Sequence, residues 1–168
     1  MLEKCGENCY EIVIGFLTSL GLEREFLEKC YLYFIDKGSS MRNVYCITKE
    51  CASALRNFGI EKKRVREAGT FIGRIVDNNF TPSLELGREI ISHYTRGEKQ
   101  SIPIIRLDLS NALSFTQGKT ISLKHAFKQT SKRFVLVVYE DNFIGWGSLR
   151  KGILYPQSDI GLYIRRGD

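Results

Sequence analysis

No run of apolar residues in this chain approaches the roughly 18–20 needed to span a bilayer. The opening residues, Met1–Tyr10, carry Glu3, Lys4 and Glu7 and lack the basic-then-apolar order of a secretory leader. The sequence therefore reads as that of a soluble, intracellular protein. Histidine is scarce: only His93 and His125 are present. Neither falls in a sequence cluster with a Ser or Cys nucleophile and an acid, so nucleophilic catalysis has little to use. No pair of carboxylates is spaced for general acid and base work, and Asp159, ahead of Ile160-Gly161, reads as a turn residue.

None of the five cysteines, Cys5, Cys9, Cys30, Cys46 and Cys51, forms a CxxC pair. An odd count without a leader argues against a disulfide framework. The looser spacing of Cys5/Cys9 and Cys46/Cys51 argues against structural zinc or an iron–sulfur cluster. Cys9 and Cys30 fit apolar positions, where a thiol acts as a small hydrophobe. Gly118-Lys119-Thr120 has the look of the end of a phosphate-binding loop, but Leu113 stands where that motif needs its first glycine. The predicted order there is helix then strand, the reverse of the motif. The expectation is of no catalytic residue, no metal, no cofactor and no small-molecule substrate.

What the chain does have is an uneven charge. Its 168 residues carry a net +6 and are 43% hydrophobic, enough apolar material for a packed core. Residues 1–100 hold 15 basic and 14 acidic side chains, a net +1; residues 101–168 hold 10 and 5, a net +5. A basic module behind a neutral one suggests an anionic partner, of which nucleic acid is the commonest. Lys119, Lys124, Lys128, Lys132 and Arg133 flank predicted strands, Arg150-Lys151 closes one strand and Arg165-Arg166 another. Basic groups at strand ends are free to reach phosphates. Phe115, Trp146, Tyr155 and Tyr163 divide between core rings and rings that can stack on splayed bases.

Periodicity supplies the elements. Ile12, Val13, Phe16, Leu17 and Leu20 form one stripe of a helix that Gly21 stops. Residues 22–29 are a short helix or turn. Cys30–Ile35 and Asn43–Ile47 read as a hairpin around a turn at 37–40. Thr48 caps a helix buried through Cys51, Leu55 and Phe58 and ended by Gly59. Val65–Val76 is a strand interrupted by Gly69 and Gly73; Asp77-Asn78-Asn79 turns into a strand over Phe80–Leu86. A helix at about Arg88–Thr95 faces Ile90, Ile91 and Tyr94 inward, and 96–100 is a linker.

Beyond it the texture changes to short strands with frequent glycines. The predicted order is a strand at Ile102–Leu107, a helix at Ser110–Gln117 with Ser110 as cap and Gly118 beyond its end, and a strand at Lys119–Leu123. A fully apolar central strand follows at Phe134–Tyr139. After a turn at Asp141-Asn142 come strands at Phe143–Leu149, Gly152–Tyr155 and Leu162–Ile164. Six or so short strands in so few residues suggest a small closed barrel. The fold class is α+β, with an N-terminal α/β domain (1–96) whose mixed or antiparallel sheet is flanked by helices, and a C-terminal module (101–168).

Four stretches carry family resemblances. Val135–Arg166, VLVVYEDNFIGWGSLRKGILYPQSDIGLYIRR, and Ser114–Phe127, SFTQGKTISLKHAF, resemble a PUA domain, a small RNA-binding β pseudo-barrel. Val65–Arg74, VREAGTFIGR, and Ser158–Arg165, SDIGLYIR, resemble the Nip-seven family of large-ribosomal-subunit biogenesis factors. The order of elements agrees with that family, and the resemblance spans essentially the whole chain, the first 60 residues in pattern only. It implies a non-enzymatic factor in pre-rRNA processing that binds RNA through its PUA domain and other ribosome-assembly proteins through its N-terminal domain. It implies a cytoplasmic location in an archaeon and a nuclear or nucleolar one in a eukaryote. The family's RNA-contact positions match best at Arg150 and Lys151; Lys119, Lys124, Arg165 and Arg166 follow from charge and placement. The alternatives are a PUA-containing accessory subunit of an rRNA- or tRNA-modifying enzyme, or such an enzyme itself.

Overall fold

The computed structural model describes residues 7–22, 30–36, 41–57, 69–95, 102–123 and 132–161. The chain is a mixed α+β protein built as two compact units, residues 1–86 and 87–168. Of the expected features, the 22–29 segment (beyond Leu22), the turn at 37–40, Phe58, Gly59, residues 65–68, the 96–100 linker, His125 and the strand at 162–164 lie outside the described residues.

In the first unit, α1 (Glu7–Ser19) buries Val13, Ile14, Phe16, Leu17 and Leu20 along the predicted stripe. It ends at Gly21, where the Gly21 and Leu22 amides donate back to the carbonyls of Thr18 and Leu17, closing the free end of the helix. Four strands follow as an antiparallel meander in chain order: β1 (Cys30–Asp36), β2 (Met41–Thr48), β3 (Thr70–Val76) and β4 (Asn79–Pro82). The Phe16 ring of α1 lies 5.0 Å from that of Phe80 in β4, so the helix packs on the sheet through an aromatic pair. Between β2 and β3, α2 (Lys49–Asn57) starts as predicted, with the Cys51 amide donating to the Thr48 hydroxyl at 3.2 Å.

Two expectations fail here. Cys51 is exposed; it is the neighbouring Ala52 that is buried. A small side chain one position on sits closer to the sheet, and apolar spacing did not distinguish the two. The strand expected over Phe80–Leu86 ends at Pro82, and α3 (Leu84–Thr95) begins at once. Ser83 enforces the change: its hydroxyl accepts from the Leu86 amide at 3.1 Å and donates to the Phe71 carbonyl at 2.7 Å. The alternation of Phe80, Leu84 and Leu86 was compatible with either element, and the cap decides. Ile90 and Ile91 are buried as predicted; the Tyr94 side chain lies outside the described residues.

The cysteines also depart from expectation. Cys9 is buried as a free thiol and Cys51 is free, but Cys46 is disulfide-bonded. Spacing along the chain carried no information about which cysteine would meet the β2 strand.

The second unit is a curled half-barrel sheet in the order β5–β7–β8–β9–β6, with β5 (Ile104–Leu107) parallel to β7 (Lys132–Tyr139) and the other pairs antiparallel. The remaining strands are β6 (Ile121–Ser122), β8 (Asn142–Arg150) and β9 (Ile153–Asp159). Among the described residues β5 and β6 are the two edges and do not pair, so what is described of the expected barrel is this half-barrel, without the strand expected at 162–164. The continuous apolar run of β7 is central, as predicted. Val135 and Val137 join the cluster of Ile105, Leu107, Phe115, Ile144, Leu149 and Leu154. Leu136, on the alternate face, pairs with Trp146. Trp146 is fully buried, edge-on to Phe143 at 5.6 Å and to Phe134 at 6.3 Å.

Helix α4 (Leu109–Thr116) covers the first of these faces through Ala112 and Phe115. Its cap is Asp108, whose carboxylate accepts from the Asn111 amide at 2.8 Å, rather than the expected Ser110. Both residue types cap; the end of β5 at Leu107 puts Asp108 first at the junction. At the other end Gly118, at a positive φ of 79°, lets its own amide and that of Lys119 bond back to the carbonyls of Phe115 and Ser114.

Candidate nucleic-acid interface

The register of the second sheet gathers its charges by sign. Antiparallel pairing brings the start of β7, the end of β8 and the start of β9 to one end of the sheet: Lys132 stands opposite Leu149, and Arg150 opposite Ile153. Lys132, Arg133, Arg150 and Lys151 are all exposed there. The other end holds the end of β5, the β7–β8 turn and the end of β9, and with them Asp108, Glu140, Asp141 and Asp159. Those four are all the acidic residues after position 100 except Asp168. Arg106 is the one basic residue described at the acidic end, and it is held there: its Nη1 donates to the Glu140 carbonyl at 2.9 Å and to the Asp141 carboxylate at 3.2 Å. The described carboxylates after position 100 thus gather at the end of the sheet opposite the cations.

The β8–β9 turn positions the two best sequence candidates. It is a two-residue turn with Lys151 at φ 49° and Gly152 at φ 77°, the type I′ geometry whose twist matches a hairpin. Arg150 closes β8 on one side and Lys151 stands at the tip. The amide of Leu123 donates to the Gly152 carbonyl at 2.7 Å, so the end of β6 is fixed to the same turn. The chain leaves there toward Lys124, which, with Arg165 and Arg166, lies outside the described residues. Lys119 is exposed but three residues before Ser122, in the cap of α4 and away from the turn. The structure thus groups Arg150 and Lys151, and adds Lys132 and Arg133, which sequence reading had placed only as strand-flanking charges. Arg133 also lies over the Phe134 ring at 5.6 Å, which orients its guanidinium. The signal that joins these four was the hairpin register, which composition does not carry.

Of the aromatic candidates, Phe115 and Trp146 are fully buried and belong to the core. Tyr155, in β9 beyond the turn, is half-buried and keeps part of its ring accessible; Tyr163 lies outside the described residues. Ile153, directly after the turn, is 37% exposed, which leaves an apolar side chain beside the cations. His93 faces Glu89 across one turn of α3 at 3.4 Å, an ordinary surface pair. Among the described residues no group of three or more His, Cys, Asp or Glu side chains is placed to hold a metal, and no helix is long and apolar enough to cross a membrane.

No family model and no curated protein matches the chain. Among solved structures it is similar to a hypothetical protein from the hyperthermophilic archaeon Pyrococcus horikoshii OT3, with a TM-score of 0.57 and 12% identity over 91% of this chain and 90% of that one. At that identity the likeness is one of fold: nearly the whole length of both chains shares the arrangement of elements.

Proposed function

We propose that this chain is a non-enzymatic RNA-binding factor of the Nip-seven kind, acting in large-ribosomal-subunit biogenesis and pre-rRNA processing, with its second unit serving as a PUA domain. The observation that carries the reading is the basic end of the second sheet, where Lys132, Arg133, Arg150 and Lys151 stand exposed together. The sequence resemblances at Val65–Arg74 and Val135–Arg166 supply the pathway.

The chemistry follows from the side-chain types. Arg150 offers a planar fork of donors that matches two phosphate oxygens at once. Lys151, at the tip of a turn, offers a compact charge that reaches along a backbone. Each phosphate neutralised releases condensed counterions, so affinity falls steeply with salt. Phosphate contacts hold the RNA without reading it. Selectivity in this reading comes from the Ile153 and Tyr155 side chains and from backbone groups near the turn, which suit unpaired bases of a single strand or loop. The first unit, close to neutral, is the surface for other ribosome-assembly proteins.

The test is direct binding of labelled single-stranded and duplex RNA by the full chain, with capture of partners from cells. RNA binding with pre-ribosomal proteins among the partners supports the reading. Capture of an RNA-modifying enzyme in their place points to an accessory subunit, and catalysis of base modification by the isolated chain points to an enzyme.

A further inference from the structure

Helix α4 is apolar on two sides. Ala112 and Phe115 face the core, while Leu109 and Leu113, one turn apart, are 56% and 55% exposed. A surface helix ordinarily carries apolar residues on its buried face alone; one that is apolar all round is a helix covered on both sides. The exposed leucines begin at the acidic end of the sheet. Leu109 directly follows Asp108, and Leu107 pairs with Tyr139, so the Glu140-Asp141 turn lies beside the start of α4. Three carboxylates stand there against the single guanidinium of Arg106 among the described residues.

We propose that this face of α4 is a docking surface for a basic amphipathic segment of a protein partner, its apolar residues on Leu109 and Leu113 and its Lys or Arg residues toward Glu140 and Asp141. The sign of the rim selects the occupant. RNA and anionic membranes carry the same charge as the rim and are repelled. A second copy meeting face to face brings like rims together, since a two-fold contact joins each patch to itself. A helix with leucine-like anchors and flanking cations satisfies both features. The proposal is independent of the RNA-binding reading, because it uses the opposite end of the sheet.

The experiment titrates a fluorescein-labelled helical peptide of leucine and lysine, leucines at i, i+3 and i+4, into the full chain, with amide shifts mapped by NMR. Saturable binding is expected, with shifts confined to α4 and the β7–β8 turn. Leu109→Ser/Leu113→Ser is expected to weaken it about tenfold or more. Glu140→Gln/Asp141→Asn, which leaves the leucines in place, is expected to weaken it less and to flatten its salt dependence. Far-UV circular dichroism and melting establish that both variants fold. Undiminished binding in the leucine variant, shifts mapped elsewhere, or no saturation below about 1 mM overturns the proposal. Self-association of the chain that the leucine variant abolishes also overturns it, by assigning the face to a second copy.

Discussion

Lys132 stands directly opposite Leu149 in the β7–β8 ladder, which puts the first cation of one strand a single residue from Arg150 on the next. This pairing turns charges scattered through the second half of the sequence into one group. It also makes Lys132 separable from Arg106, which belongs to the same sheet but to its acidic end. Lys132→Ala is expected to lower RNA affinity and to reduce the slope of log affinity against log salt by about 0.7, the value for one phosphate contact on a single strand. Arg106→Ala is expected to leave the slope unchanged. Fluorescence anisotropy at several salt concentrations measures both; equal effects would mean that net charge, rather than this end of the sheet, governs binding.

The β8–β9 turn separates geometry from charge. Lys151 occupies a left-handed conformation that asparagine tolerates, so Lys151→Asn removes the cation and keeps the turn. Its melting temperature is expected to match that of the parent while RNA binding falls. Gly152→Ala keeps the cation and strains the turn, and is expected to cost about 1 kcal/mol, read by denaturant unfolding.

The two serine and aspartate caps are expected to rank by burial. Ser83→Ala loses the cap of α3 and leaves the Phe71 carbonyl without its hydroxyl partner, at about 1–2 kcal/mol. Asp108→Ala loses an exposed cap of α4, at about 1 kcal/mol or less. Urea unfolding of the two variants gives the order.

Both caps show where sequence reading succeeds and where it stops. Strong periods were legible: the stripe of α1, the apolar run of β7 and the hairpin of β1 and β2 stand as read. Boundaries where two signals overlap were not. Phe80, Leu84 and Leu86 alternate like a strand, and only the double role of the Ser83 hydroxyl turns the chain into a helix there. Ser110 and Asp108 are both cap residues, and the end of β5 chooses between them. The candidate site was legible one residue at a time. Arg150 and Lys151 are adjacent in sequence; the approach of Lys132 and Arg133 to them depends on register, which a pattern of apolar residues in one strand does not fix.

Glu50 gives the stability of the first unit a pH signature. Its own backbone amide, then the Thr48 hydroxyl, hold its carboxyl below the ordinary value of 4.5. A carboxyl lowered in the folded state stabilises it while ionised, so this contribution is present above the ordinary value and is lost as pH falls through the lowered one. Glu50→Gln is expected to melt below the parent near neutral pH, with the gap closing in acid. A gap that is constant with pH would show that the ionised form is not what stabilises the helix start.

The most direct measurement is the salt dependence of RNA binding by Arg150→Ala/Lys151→Asn beside the parent chain. With both groups on phosphates of a single strand, the log–log slope is expected to fall by about 1.4 and the affinity to drop at every salt concentration. A slope identical to that of the parent would place the RNA elsewhere on the molecule and contradict the assignment of this turn.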